Sequence, residues 1–297
     1  MSTVPAGPPG ALRDALSRGE FFVAPGMHDM IAAKLARKAG FDIGFASGYW
    51  LTASAHGLPD VGLATYTQML ERVTTLVRAS EGMAIIADAD TGYGGLLNVR
   101  HTVRGYEEAG VAAIQLEDQE FPKRCGHSLG KKVVPAEEMV ARITVAREAL
   151  LGELPPLIIA RSDAKAPEGL DAMLRRLEAY AKAGADLLFP EALGDEEEMR
   201  FVAERLSAPA IVNMADGGNT RILPAATLEE IGFAGALFPA TTALASAAAS
   251  IHALMRLKET GTSIHEDVEL FSFAEMCSLI GFDEVYELDR RWEGLAG

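Results

Sequence analysis

Apolar residues along the chain fall into two alternating patterns. Runs that are apolar at nearly every position occur at 21–24, 43–46, 84–87, 112–116, 157–160, 187–189, 210–212 and 236–238 and predict eight strands. A strand without polar alternation is buried on both faces, as in a parallel sheet. The segments between them follow helical spacing. Met139, Ile143, Ala146 and Leu150 share one helix face, as do Leu170, Met173, Leu174 and Leu177. Thr65-Tyr66-Thr67-Gln68 reads as a capping box ahead of Met69 and Leu70. Repeated strand–helix units imply right-handed crossovers. Eight of them predict a (β/α)8 barrel of the TIM type, with a doubly wound open sheet as the competing arrangement. No Pro/Ser-rich linker interrupts the chain. Residues 1–297 are therefore expected to form a single barrel domain with a C-terminal helical extension from about residue 260.

Composition narrows the class. A hydrophobic content of 49% supplies a large core, and a net charge of −15 argues against nucleic-acid or anionic-membrane partners. Two cysteines, Cys125 and Cys277, are too few for a disulfide framework, which points to a reducing, cytoplasmic setting. Residues 1–10 have no basic segment followed by an apolar core, so no signal peptide is expected. The stretch 231–255 lacks Asp, Glu, Lys and Arg. It is rich in small residues and contains Pro239, which predicts a strand plus a buried helix rather than a membrane span.

Barrel enzymes carry their chemistry where the strands end. Ser47-Gly48 follows the second run and Asp88-Ala89-Asp90 the third. Glu117-Asp118 follows the fourth, Arg161-Ser162-Asp163 the fifth, Glu191 the sixth and Asn213 the seventh. Asp88 and Asp90, alternating in sequence, face the same way if the strand continues through them. Oxygen-only donors suit a hard cation, Mg²⁺ or Mn²⁺; an Asx-turn at a strand end is the plainer reading. Asp60 alone reads as a turn. Arg161 is either a bidentate clamp for a substrate carboxylate or the partner of a neighbouring acid. Glu191 and Asn213 carry weak individual signals. Cys277 reads as a buried small hydrophobe, while His56 and His252 have no partner pattern.

The segment Lys123-Arg124-Cys125-Gly126-His127 sets a thiol among three basic side chains. Nearby cations favour the thiolate, and Gly126 permits close backbone approach to a ligand. A solvated loop with an incidental cysteine is the alternative.

Together these stretches resemble the isocitrate lyase/phosphoenolpyruvate mutase superfamily over nearly the whole chain. The matching segments are Ser47-Gly48, Gly57-Leu58-Pro59-Asp60, Asp88-Ala89-Asp90-Thr91-Gly92, Glu117-Asp118-Gln119, Lys123 to His127, Ala160 to Ala164, Pro190-Glu191-Ala192 and Asn213-Met214. The 2,3-dimethylmalate lyase and petal-death-protein branch, close to the methylisocitrate lyases, is most similar, and 130–138 also fits it. The resemblance implies a barrel whose last helix swaps between subunits, giving a homotetramer. It implies Mg²⁺ held largely through water by Asp60, Asp88, Asp90 and Glu117, with Asp90 the most direct. Substrate contacts fall to Ser47, Gly48, Tyr49, Gly126, Arg161, Glu191 and Asn213. A mobile loop would carry Lys123, Cys125 and His127, with Cys125 as general acid.

The implied activity is cleavage of a small di- or tricarboxylate 2-hydroxy acid to a 2-oxo acid and a carboxylic acid through an enolate. Oxaloacetate hydrolase and carboxyphosphonoenolpyruvate phosphonomutase chemistry share the pattern, and a silent binding barrel would lack part of it. Tyr49-Trp50 stands where 2-methylisocitrate lyases carry small residues, and this bulk disfavours a tricarboxylate. Asp216 and Arg221 replace a usual Glu and Pro, and Ser162 a usual Thr.

Overall fold

The computed structural model describes residues 10–126, 128 and 130–295. In chain order the elements are α1 (Gly10–Arg18), β1 (Phe22–Pro25), α2 (Met30–Lys38), β2 (Ile43–Ala46), α3 (Gly48–His56), α4 (Tyr66–Ala79), β3 (Ala84–Asp88), α5 (Leu96–Ala109), β4 (Ala113–Glu117), α6 (Ala136–Ala149) and β5 (Leu157–Ser162). They continue with α7 (Lys165–Glu168), α8 (Leu170–Lys182), β6 (Leu187–Pro190), α9 (Glu196–Ala203), β7 (Ile211–Asn213), α10 (Ala225–Ile231), β8 (Gly235–Phe238), α11 (Thr241–Thr260), α12 (Phe273–Leu279) and α13 (Phe282–Trp292). One compact unit runs to Thr242 and a second begins at Ala243.

In the first unit β2 to β6 form one parallel ladder, and β1, β8 and β7 another. Parallel bridges Gly26↔Phe45 and Leu188↔Ala210 join the ladders. Every strand thus has a neighbour on each side, which closes the sheet into the expected (β/α)8 barrel. The side-chain period of two divides each strand between two cores. Ile43, Phe45, Ala84, Ile86, Ile159, Phe189, Ile211 and Leu237 fill the interior, joined by Leu12 and Ala15 of α1. The intervening Ile85, Ala87, Ile158, Leu188 and Val212 face the helices, against Met69, Val73, Ile143, Met173 and Leu177. Burial on both faces is the physical reason that the strand runs lack polar alternation.

The predicted runs and the strands agree to within a residue or two. Asp88, Glu117 and Arg161-Ser162 lie inside strands rather than after them. The ladder continues through Asp88↔Gln115, Glu117↔Arg161 and Ser162↔Pro190. The capping box of α4 forms, with Thr65 N–H donating to Gln68 Oε1 at 2.9 Å and Gln68 N–H to Thr65 Oγ1 at 3.4 Å. Two helix stripes are narrower than expected. Leu150 caps α6 half-buried, and Leu170 and Leu174 are half-buried while Met173 and Leu177 are enclosed.

The second unit departs from expectation. Strand β8 and the helix after it, α11, both form, but the helix is not buried: only Ala243 of α11 is enclosed. Ile251, Leu254 and Met255 are 57%, 60% and 64% exposed. Cys277 in α12 is half-buried rather than buried, beside Phe273 at 84% exposure. Apolar composition alone does not say whether the chain's own residues cover a side chain. Among the described residues no helix is long and apolar enough to cross a membrane.

Candidate active site

The interior parity of each strand, carried past its apolar residues, selects the polar layer. Ser47 follows Ile43 and Phe45; Asp88 follows Ala84 and Ile86; Gln115 and Glu117 follow Ala113. Arg161 and Asp163 follow Leu157 and Ile159, Glu191 follows Leu187 and Phe189, and Asn213 follows Ile211. All share the inward face at the carboxyl ends of the strands. Asp118 and Ser162, one residue out of phase, point between the barrel and α8.

Asp88 sits in a cradle. It accepts from Gly48 N–H at 3.2 Å, from its own neighbour Asp90 N–H at 3.0 Å and from Gln115 Nε2 at 3.3 Å. A Cβ on Gly48 would lie 2.8 Å from Asp88 Oδ2, so a side chain here would force the Asp88 carboxylate to shift. Asp90 does not continue the strand. Its φ of +48° turns the chain, and the Asx-type bond to Asp88, rather than strand alternation, brings the two carboxylates together. Lys123, 3% exposed, places Nζ 2.5 Å from Asp60 Oδ1 and 2.8 Å from Asp90 Oδ1.

Burial pushes the Asp88 carboxyl up to about 6, reinforced by Asp90. Burial likewise raises Asp60, against the opposing pull of Lys123, and holds Glu117 well above the usual carboxylate range, against Arg161. Burial also works against the Lys123 charge, but Asp90, Asp60, Glu117 and Asp88 outweigh it and hold the ammonium well above the ordinary lysine range.

Arg161 is buried in a second group. Its Nε and Nη2 donate to Asp163 Oδ2 and Oδ1 at 2.9 and 3.0 Å, and Nε lies 3.4 Å from Glu117 Oε2 and 3.5 Å from Glu191 Oε2. One edge of the guanidinium, Nε with Nη2, therefore serves a neighbouring acid, as expected of the partner of an acid rather than of a substrate clamp. Asn213 Nδ2 donates to both Glu191 oxygens at 3.3 Å. Gly126 lies across this group, and a Cβ there would stand 2.4 Å from Arg161 Nη2 and 2.8 Å from Glu191 Cδ.

The loop that reaches Gly126 is fixed at its base. The Gln119 amide brackets Arg124, donating to its carbonyl and accepting from its N–H, both at 2.9 Å. Cys125 is half-buried. A Cβ on Gly62 would lie 3.1 Å from Phe121 Cε2 and 3.5 Å from Pro122 Cβ, so the Asp60 segment runs close against the same loop. His127 lies outside the described residues. Tyr49 opens α3 with its ring edge-on to Trp50 at 4.7 Å and 38% exposed, away from the carboxylate cradle's hydrogen bonds. The structure thus brings Ser47, Gly48, Asp60, Asp88, Asp90, Glu117, Lys123, Gly126, Arg161, Glu191 and Asn213 into one layer.

Several contributors carry no role in the sequence reading. Gln115 is polar inside an apolar strand, and that break in pattern was the available signal. Asp118 accepts from Ser162 Oγ at 2.7 Å, Tyr180 OH at 2.8 Å and Asp163 N–H at 2.8 Å. Arg176, which grips Glu168 with two bonds of 2.7 Å, lies 3.6 Å from Asp118. Tyr180 and Arg176 belong to α8, so only tertiary structure reveals them.

The donor set fits a hard divalent cation. Four buried carboxylates, Asp60, Asp88, Asp90 and Glu117, share one ammonium. Among the described residues Glu117 Oε1 is buried without a hydrogen-bond donor, and Asp90 Oδ1 meets Lys123 only as an ion pair off the hydrogen-bond angles. Among the described residues no three such side chains converge for direct chelation. The arrangement suits a cation that keeps part of its water.

Comparison with known proteins gives the family. The phosphoenolpyruvate phosphomutase family model matches residues 12–257. The 2,3-dimethylmalate lyase of Eubacterium barkeri is 40% identical over 95% of this chain and 96% of its own length. The chain belongs to the phosphoenolpyruvate mutase/isocitrate lyase superfamily. The 2-methylisocitrate lyase of Bacillus subtilis is 41% identical over 95% of this chain and 92% of its own. Among solved structures, an oxaloacetate acetylhydrolase with 3,3-difluorooxalacetate superposes with a TM-score of 0.91 at 31% identity, covering 98% of this chain and 99% of its own. A phosphonopyruvate hydrolase with oxalate and Mg²⁺ superposes at 0.86 with 28% identity, covering 96% and 98%. This superfamily member has named lyases as relatives, and those relatives act on small carboxylates.

Proposed function

We propose that this protein is a Mg²⁺-dependent carbon–carbon lyase of a small branched 2-hydroxydicarboxylate of the 2,3-dimethylmalate type, with the tricarboxylate 2-methylisocitrate the less suited substrate. It releases a 2-oxo acid and a carboxylic acid. The observation that carries this reading is the placement of Gly126 directly over Arg161 and Glu191, which brings the Cys125 segment across a buried carboxylate layer. Asp60, Asp88, Asp90 and Glu117 are the residues that would hold the cation. When bound, it polarises the oxygen that becomes the 2-oxo group.

The protein's own groups do the rest. Ser47, Gly48 and Asn213 orient the substrate carboxylates beside Arg161, whose Nη1 side is not used by Asp163. Glu117 Oε1, buried and without a donor, is the acceptor for the hydroxyl proton. As the C2–C3 bond breaks, its electrons pass into the enolate of the departing carboxylic acid. Cys125 then delivers its thiol proton to C3, a step of the kind that contributes about 10²–10⁴-fold. Lys123 and the protein around it keep the enolate from water.

A second copy of the chain is the partner we infer for α11 to α13, where Leu254, Met255, Phe273 and Trp292 are half-exposed or more. A homotetramer with swapped helices follows from the family resemblance, and light scattering of the intact protein tests it. The two cysteines, neither in a disulfide, suit a cytoplasmic setting. Oxaloacetate hydrolysis is the second reading, favoured by the 0.91 superposition on the acetylhydrolase.

Product analysis by NMR tests the proposal, with 2,3-dimethylmalate, 2-methylisocitrate and oxaloacetate offered with Mg²⁺ and after EDTA. Metal-dependent pyruvate and propionate from dimethylmalate support the lyase. Oxalate and acetate from oxaloacetate alone would replace it with the hydrolase.

A further inference from the structure

Lys131 lies on the return leg of the segment that carries Cys125. That segment is closed at its base by an antiparallel bridge between Gln119 and Val133 and by Glu120 N–H donating to Lys132 O at 2.9 Å. The Lys131 side chain turns inward and is 3% exposed. Its Nζ donates to two acceptors of different origin. One is the carbonyl of Gly126, the residue after Cys125; the other is Asp163 Oδ1 at 3.1 Å. Asp163 is fully buried and accepts from both Arg161 Nε and Nη2. Its backbone N–H is anchored on Asp118.

We propose that Lys131 is a positioning residue. Its ammonium fixes the Gly126 carbonyl, one residue past Cys125, relative to the Arg161 fork through their common partner, Asp163. The inference rests on the reading of Cys125 as proton donor and of Arg161 as the substrate-orienting cation. A packing role would need only the aliphatic stem of the lysine. The two bonds made by Nζ join the donor segment to the group that aims the substrate. A bond to a charged donor inside the protein corresponds to roughly ten- to a hundredfold in the ratio of the held to the released arrangement. Neither the lysine nor Asp163 is replaceable by solvent at this depth, because both are sequestered from water.

The test uses the full-length protein and Lys131→Met, which keeps the stem and removes the donor. Alkylation of Cys125 by iodoacetamide is followed by mass spectrometry, with Cys277 as the internal reference for global loosening. The expected result is Cys125 labelling at least tenfold faster with Cys277 labelling unchanged. In turnover, kcat should fall ten- to a hundredfold with KM changed less than threefold. Labelling of Cys125 within twofold of the parent, in a folded variant, would overturn the proposal. Parallel acceleration at both cysteines would also overturn it, since that is the pattern of a merely structural lysine. Should Lys131→Met not fold, Lys131→Gln is read by the same two rates and the same criteria. The labelling needs no substrate, so it reports on Lys131 even if the lyase assignment fails.

Discussion

Glu117 and Arg161 are register partners on adjacent strands, and their side chains turn inward together with Arg161 Nε 3.4 Å from Glu117 Oε2. This pair joins the two halves of the site. On one side Glu117 completes the acidic group around Lys123; on the other Arg161 links Asp163, Glu191 and the overlying Gly126. Burial opposes charge on both, and the arginine keeps its charge because Asp163, Glu191 and Glu117 surround it.

Gly126→Ala should disable the site without unfolding the barrel. The added Cβ would need space 2.4 Å from Arg161 Nη2 and 2.8 Å from Glu191 Cδ, so the loop must lift or both groups must shift. We expect kcat/KM to drop by about 10²-fold, because small misplacements of reacting groups cost that much. The melting temperature should stay within a few degrees, and steady-state kinetics with a thermal melt checks both.

Cys125→Ser keeps the size of the side chain and removes an acidic thiol. Turnover should fall by about 10²–10⁴-fold, with fold and Mg²⁺ affinity retained. Calorimetric titration with Mg²⁺ separates loss of the proton donor from damage to the acidic group. Parent-level turnover would remove Cys125 from the chemistry.

The acidic group predicts a pH dependence with a definite sign. Burial raises Asp88 to about 6 in the folded protein, above the ~3.9 of an unfolded aspartate. The folded state therefore holds this proton more tightly. Asp88 lowers stability as pH rises from about 4 through about 6, with its full cost present above that window. A divalent cation competes with the proton. Stabilisation by Mg²⁺ over EDTA should grow through the same window and level off near neutrality. Asp88→Asn should reduce this growth, leaving the part that Asp60 and Glu117 set, as thermal melts from pH 4.5 to 8 would reveal.

Asp118 supports the site from behind the sheet. Removing its carboxylate strands the hydroxyls of Ser162 and Tyr180 and the Asp163 N–H, and leaves Arg176 short of a partner. Asp118→Ala should lower stability by about 3 kcal/mol or more, read from urea unfolding.

The barrel was legible because its strands are buried on both faces, which leaves a simple apolar signature in the sequence. The inward polar layer was legible through the ends of those runs: Asp88, Glu117 and Arg161 each interrupt an apolar segment. What escaped the sequence depends on distance in space. Lys131 and Gln119 look like ordinary loop residues until the chain returns and sets them against Gly126 and Arg124. Tyr180 and Arg176 read as parts of an amphipathic helix. Of the two sequence readings of Asp88 and Asp90, the Asx-turn at the strand end is the one that forms, and it still unites the two carboxylates. The exposed face of α11 was invisible because apolar composition does not name its partner.

The most direct test of the central claim is turnover of 2,3-dimethylmalate with Mg²⁺ in D₂O, with the products read by NMR. Cleavage followed by proton delivery from one side predicts pyruvate with an unlabelled methyl group and propionate carrying a single deuterium at C2, in one configuration. Propionate deuterated without stereochemical preference would contradict delivery by a fixed Cys125, and absence of cleavage in the presence of Mg²⁺ would contradict the lyase reading for this substrate.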